Sequence, residues 1–261
     1  VLFRSDSLGL EVPGERYYGF FWWEMPDLNF DNPLVREEIK KIGRYWLGEI
    51  GVDGFRLDAI RFIYPEKEQK KNYAWWQEFR MAMDSVKEDF FMVGEIWGSD
   101  SVIAPFLTKG VHAGFNFDLS EKIIECVQNE KDEGLVNKLM QTQGLYAAHE
   151  PDFYDATFLS NHDMNRFAST LQQDKDHIRM AVSLLMTLPG CPFIYYGEEI
   201  GMIGMKPDET IREPMLWDYH GLDKGQPAWM KPVYSTDKNL QPVAAQMRDS
   251  TSLYWHYRRL I

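Results

Sequence analysis

Apolar and polar positions alternate along this chain in two repeating forms: short apolar runs that end in acidic residues, and longer amphipathic stretches between them. Val35, Ile39, Ile42 and Trp46 recur at helical spacing. They follow Asn32-Pro33, an N-cap residue and then proline at the first helical position, and Gly51 closes the run. A short apolar strand over Phe55–Leu57 comes next and stops at Asp58. Residues 65–73 are charged and contain Pro65, which predicts a solvated loop. Trp76, Phe79, Met83 and Val86 predict a second amphipathic helix. Phe90 to Gly94 is apolar without alternation, as in a strand buried on both faces, and it ends in Glu95.

The pattern then repeats. A strand is expected over Ala113–Phe117, followed by Asp118 and by helices over 119–129 and 133–142. A strand over Asp155–Leu159 runs into Ser160-Asn161-His162-Asp163, with helices over 166–171 and 177–188. Cys191–Tyr195 is the last expected strand, closed by Tyr196-Gly197-Glu198-Glu199. A loop punctuated by Gly and Pro leads to Pro232, and a final helix covers 243–261. Five strand-then-helix units argue for a parallel sheet with helices outside. Five are too few for a closed eight-unit barrel, and the pattern alone leaves an open doubly wound sheet in play.

Composition narrows the function. With 44% hydrophobic and 26% charged residues the chain is in the ordinary globular range. A net charge of −12 argues against nucleic-acid or anionic-membrane partners, which need clustered Lys and Arg. No run of apolar residues is long enough for a membrane span. Cys126 and Cys191 have no metal-ligand spacing and do not fix the redox compartment. Aromatic residues make up 15% of the chain, enough to supply stacking platforms for sugar rings as well as a bulky core. The run Tyr17-Tyr18-Gly19-Phe20-Phe21-Trp22-Trp23 reads either as packing over a core edge or as one wall of a cleft.

Three expected strand ends carry acids: Asp58, Glu95 and Asp163, the last beside His162. Strand ends of one parallel sheet face one side, so groups far apart in sequence can serve one site. Arg56 lies two residues before Asp58, on the same face of a strand, where it favours a charged carboxylate. Two carboxyls flanking one bond suffice for glycoside hydrolysis: one attacks the anomeric carbon, and the other, kept neutral by burial, protonates the leaving oxygen. Metal binding is the competing use of such acids, and one His beside one Asp supports it weakly.

Gly-Phe-Arg-Leu-Asp-Ala at 54–59, Gly-Glu-Ile-Trp at 94–97 and Ser-Asn-His-Asp at 160–163 resemble three ordered signatures of the α-amylase family of glycoside hydrolases. Tyr-Tyr-Gly-Glu-Glu at 195–199 and Met-Pro-Asp-Leu-Asn at 25–29 resemble two more, the latter intermediate between oligo-1,6-glucosidases and neopullulanases. The resemblance implies a TIM-type barrel and a retaining double displacement on α-glucans. By position, Asp58 matches the nucleophile, Glu95 the general acid/base and Asp163 the carboxylate that holds sugar hydroxyls. Arg56 matches the arginine that orients the nucleophile, His162 a donor to the same sugar, and Arg166 a substrate-side arginine of the oligoglucosidase branch. Ala59 is similar to the residue that α-1,4-specific members carry after the nucleophile.

Two departures qualify that picture. The family's first signature, an Asp followed by Asn-His, should precede Asp58 and is not in this chain, which opens on Val-Leu-Phe-Arg-Ser. The expectation is therefore an N- and C-terminally truncated fragment, α/β in class, holding about the last five β/α units of a (β/α)8 barrel. Residues 1–30 would be the end of the domain inserted after the third strand, and 31–261 the C-terminal part of the barrel. Such a fragment is expected to be poorly soluble or inactive alone. Second, Arg61-Phe62 stands where many amylases place a Lys-His pair, linked to substrate contact and, through the His carbonyl, to calcium. No metal or other cofactor is expected here, although the resemblance allows calcium in a full-length parent. The expected activity is cleavage of α-glucosidic, α-1,4 bonds in starch-derived oligo- or polysaccharides. A glucosyl-transferring or isomerising enzyme is the alternative, and a non-catalytic transporter-associated relative is disfavoured by the presence of all three acids. The sequence assigns no compartment.

Overall fold

In the computed structural model, which describes residues 18–261, Asn32 caps the first helix as its sequence requires. Its side-chain oxygen accepts the Leu34 N–H at 3.0 Å, and α1 runs over Pro33–Arg44 with Lys41 and Arg44 at its negative end. A π-helical turn, Tyr45–Ile50, extends it to Gly51, whose φ of 83° ends the helix in a conformation glycine adopts without strain. Strand β1 (Gly54–Leu57) follows and pairs in parallel with β2 (Phe91–Gly94), Gly54 opposite Phe91 and Leu57 opposite Gly94. Gly54 is required here, because a Cβ would stand 1.9 Å from the Phe91 carbonyl oxygen. β2 in turn pairs in parallel with β3 (Ala113–Phe115). Helices α2 (Gln69–Asp84) and α3 (Asp100–Leu107) follow β1 and β2.

The chain forms two compact units, one running through Phe115 and including Gly144–Tyr154, the other made of Asn116–Gln143 and Asp155–Ile261. The first has its own core, in which Ile60, Met83, Met92, Ile96 and Ile103 are fully enclosed. Each such side chain contributes about 1.5–3 kcal/mol by leaving water. In the second, α4 (Phe117–Gln128) and α7 (Lys175–Thr187) bury Ile123, Val127, Ala181, Val182 and Leu185 against α10 (Leu253–Leu260), which adds Tyr257. Strand β4 (Tyr154–Thr157) pairs in parallel with β5 (Cys191–Pro192), Ala156 opposite Cys191. The remaining helices are α5 (Leu135–His149), α6 (Phe167–Thr170), α8 (Asp208–Ile211) and α9 (Val243–Gln246).

The five strands lie where the apolar runs placed them, and several ends differ. The expected 113–117 strand stops at Phe115 because Asn116 caps α4: its Oδ1 accepts the Leu119 N–H at 2.9 Å while its Nδ2 donates to Asp155 at 3.1 Å. Asp118 therefore lies within α4, paired with Lys138, instead of at a strand end. α3 has no counterpart in the sequence reading. It is buried on most sides, so no amphipathic period marks it, and Pro105 within it reads as a breaker. The expected loop over 65–73 is already α2 from Gln69 onward. The expected helix over 243–261 is two helices, because Ser252 breaks the run: it donates to the Gln246 carbonyl at 2.8 Å and caps α10 at the Trp255 N–H.

Candidate active site

β1 and β2 deliver their acids at neighbouring ends. Asp58 follows β1, and Glu95 follows β2 with its N–H donated to the Leu57 carbonyl at 2.9 Å. Arg56 contacts both: Nη1 pairs with Asp58 Oδ1, and Nη2 lies 2.9 Å from Glu95 Oε1. The sequence reading gave this guanidinium to Asp58 alone. The two acids differ in surroundings, the Asp58 side chain being 75% exposed and that of Glu95 7%. Ala59 turns sharply after Asp58, with φ 46° and ψ 39°, a left-handed conformation rare outside glycine. That turn aims its N–H at Glu95 Oε2, 3.3 Å away. Strain of this kind persists where the surroundings overdetermine it, and here it serves to hold a carboxylate.

In the second unit, Asp163 lies on the segment after β4. Asn161 Oδ1 accepts the Asp163 N–H at 2.9 Å and shapes the turn. His162 Nε2 stands 3.1 Å from Asp163 Oδ2. Arg212 grips the same group: its Nη2 donates to Asp163 Oδ1 at 2.8 Å and to Asp208 Oδ2 at 2.8 Å, and its Nε donates to the His162 carbonyl at 2.8 Å. Sequence reasoning missed Arg212, for no local pattern marks an arginine 49 residues from its partner.

Arg166 is not where its resemblance to a substrate-side arginine put it. The side chain is fully enclosed. Nε donates to the Ile211 carbonyl at 3.1 Å and Nη1 to the Tyr196 carbonyl at 2.7 Å. The guanidinium also lies over the rings of Tyr195 and Tyr196, 4.5 and 4.7 Å from their centroids. It is a brace tying α6 to the Tyr195-Tyr196 segment. The same segment holds Glu198, whose Oε1 accepts from Ser160 Oγ at 2.5 Å. Burial pushes the Glu198 carboxyl up to about 8, against a smaller opposing pull from the Ser160 hydroxyl. Burial raises Glu199 as well.

Arginine-held acids after β1 and β2, and another on the segment that follows β4, stand in a chain of parallel β/α units. The sequence pattern of the family "Alpha amylase, catalytic domain" matches residues 8–261. The chain belongs to the α-amylase catalytic-domain family. It is 45% identical over 258 residues to "Alpha-amylase 3" of Dictyoglomus thermophilum, covering 99% of this chain and 51% of that protein. It is 35% identical to a "4-alpha-glucanotransferase" of Thermotoga neapolitana, covering 93% of this chain and 53% of that one. Its fold superimposes on the crystal structure of the α-amylase from H. orenii with a TM-score of 0.87 at 40% identity, over 98% of this chain and 54% of the other. The chain thus spans about half the length of the relatives it matches. Its fold class is that of a partial TIM barrel.

Of the Arg61-Phe62 pair, Arg61 donates to the Trp97 carbonyl at 2.5 Å and pairs with Glu66 at 3.3 Å. Among the described residues, no group of three or more His, Cys, Asp or Glu is arranged to hold a metal, and no helix is long and apolar enough to cross a membrane. Of the aromatic run, Tyr17 lies outside the described residues; Phe20 stacks on Phe62 at 4.4 Å, and Trp22 and Trp23 are exposed.

Proposed function

We propose that this chain carries the catalytic acids of a retaining glycoside hydrolase that cleaves α-glucosidic, α-1,4 bonds in starch-derived oligo- or polysaccharides. The observation that carries the reading is Arg56, a single guanidinium holding the carboxyls that follow two adjacent strands, one open to solvent and one buried. Asp58, oriented and accessible, attacks the anomeric carbon and forms a glycosyl ester. Glu95, on the adjacent strand end, protonates the leaving oxygen and then activates the water that breaks the ester. Asp163, braced by Arg212 with His162 beside it, holds hydroxyls of the reacting sugar. Arg166 takes no direct part. Residues 1–30, of which 1–17 lie outside the described residues, serve as the end of the domain inserted after the third strand.

The test is kinetic. In the intact protein, Asp58→Asn abolishes turnover of maltoheptaose while binding persists, and full activity in that variant overturns the assignment. Transfer in place of hydrolysis is the second reading, supported by the 4-alpha-glucanotransferase among the relatives. Products from maltotriose separate the two: chains longer than the substrate mark transfer, and shorter products alone mark hydrolysis.

A further inference from the structure

The turn that follows Asp58 is held from behind by one face of α2. Gln69, Asn72 and Trp76 stand three and four residues apart on that helix, and all three side chains donate to backbone carbonyls of the turn. Trp76 Nε1 donates to the Ile60 carbonyl at 3.0 Å and Gln69 Nε2 to the Arg61 carbonyl at 3.1 Å. Asn72 Nδ2 donates to the Arg61 and Tyr64 carbonyls at 2.8 and 3.2 Å, and its Oδ1 accepts the Tyr64 N–H at 2.9 Å. Asn72 is wholly buried and Trp76 nearly so. A buried amide is tolerated only when its donors and acceptor are paired, and those of Asn72 are paired with this turn and with Gln69 Oε1 at 3.1 Å. An apolar side chain could pack at position 76 with no partner to find; the indole adds a donor, and the turn receives it.

What the fastened turn does lies on its other side. Three successive residues reach the segment that carries Glu95. The Ala59 N–H faces Glu95 Oε2 at 3.3 Å, the Ile60 N–H is donated to the Glu95 carbonyl at 3.2 Å, and Arg61 Nη1 donates to the Trp97 carbonyl at 2.5 Å. Ile60 links the two sides directly, its N–H on Glu95 and its carbonyl on Trp76. Ala59 keeps its left-handed φ of 46° only while the residues after it are fixed. Released, an alanine returns to ordinary φ, and its N–H swings away from the Glu95 carboxyl. A proton donor displaced by about 1 Å from its reacting atom can lose about 100-fold in rate, so the aim of Glu95 is where such a framework acts.

We propose that Asn72 and Trp76 are positioning residues that aim Glu95 at the leaving oxygen through the Ala59–Arg61 turn. The proposal rests on the reading of Glu95 as the general acid. It is tested in the intact protein with two substrates: maltoheptaose, whose leaving sugar needs a proton, and α-maltosyl fluoride, whose leaving fluoride does not. For the fluoride, kcat/KM reports the steps up to its departure, in which a proton from Glu95 has no part. Trp76→Phe removes the donor and keeps a ring; Asn72→Ala removes the contacts to Arg61 and Tyr64. Each should lower kcat/KM for maltoheptaose about 3- to 30-fold and leave that for the fluoride within about 2-fold. Glu95→Gln gives the full size of the discrimination. Thermal unfolding identifies the folded variants, and Trp76→Phe, the milder change, carries the test if Asn72→Ala does not fold. In a folded variant, equal losses on the two substrates, or no loss on either, overturn the positioning role. Equal loss of both substrates in Glu95→Gln overturns the acid assignment beneath it.

Discussion

Arg166 offers the sharpest separation between a structural and a substrate role. Replacing it with Ala removes two charge-assisted donors, from the Ile211 and Tyr196 carbonyls, in a site with no exposed surface. Each such bond is worth about 1.5–3 kcal/mol, and the two ring contacts add about 2 kcal/mol when desolvated. Against this, the wild-type protein bears the cost of holding a charge away from water, several kcal/mol. Nη2 has no hydrogen-bond partner, which leaves part of that cost uncompensated. The net loss expected for Arg166→Ala is about 3–5 kcal/mol, the range for stranding the partners of a buried charge. Arg166→Met, which keeps much of the volume and removes the charge, should lose less. Urea unfolding at pH 6.5 reads the stability, and maltoheptaose titration below the unfolding region reads the affinity of the folded fraction. An unchanged urea midpoint together with a specific loss of glucan affinity would refute the brace and restore the substrate-side role.

Arg212→Ala should act in the opposite way: its side chain and those of Asp163 and Asp208 are partly exposed, so stability falls by under about 1 kcal/mol, while kcat/KM falls about 10- to 100-fold as Asp163 loses its partner. Steady-state kinetics beside a melting curve checks the split. The Glu198 carboxyl is raised from 4.5 to about 8, so the folded state binds the extra proton between those values. Its contribution is complete below pH 4.5 and declines as pH rises through 8, with a slope of up to ~1.4 kcal/mol per pH unit. Urea midpoints across that range should flatten in Glu198→Gln. Ala59→Val places a branched side chain at φ 46° and should cost about 1–2 kcal/mol in thermal unfolding, whereas Ala59→Gly should be tolerated.

Much of this was legible because strand ends and apolar runs are local. Asp58 and Glu95 follow runs whose burial alone dictates a strand, and β1 and β2 lie where those runs are. The caps at Asn116 and Ser252 shifted element ends, because a side-chain hydrogen bond to the backbone competes with the ladder or helix that hydrophobicity favours. α3 was invisible because burial on most sides erases periodicity. Arg212 and Glu213 were out of reach for another reason: an adjacent Arg-Glu pair reads as two surface charges until the fold brings Asp163 to one and residues 233–235 to the other. Arg166 shows the reverse error. Its motif position was read as a role, and only its enclosure between Ile211 and the paired tyrosines shows what the guanidinium touches.

The division of labour between Asp58 and Glu95 is most directly tested by trapping the intermediate. The intact protein is incubated with an activated fluoroglucoside whose ring fluorine slows breakdown of the glycosyl ester, then digested and mapped by mass spectrometry. The account predicts one added fluoroglucosyl group on the peptide containing Asp58, absent in Asp58→Asn. A label on Glu95 or Asp163, or turnover with no trapped ester and an inverted first product, would contradict it.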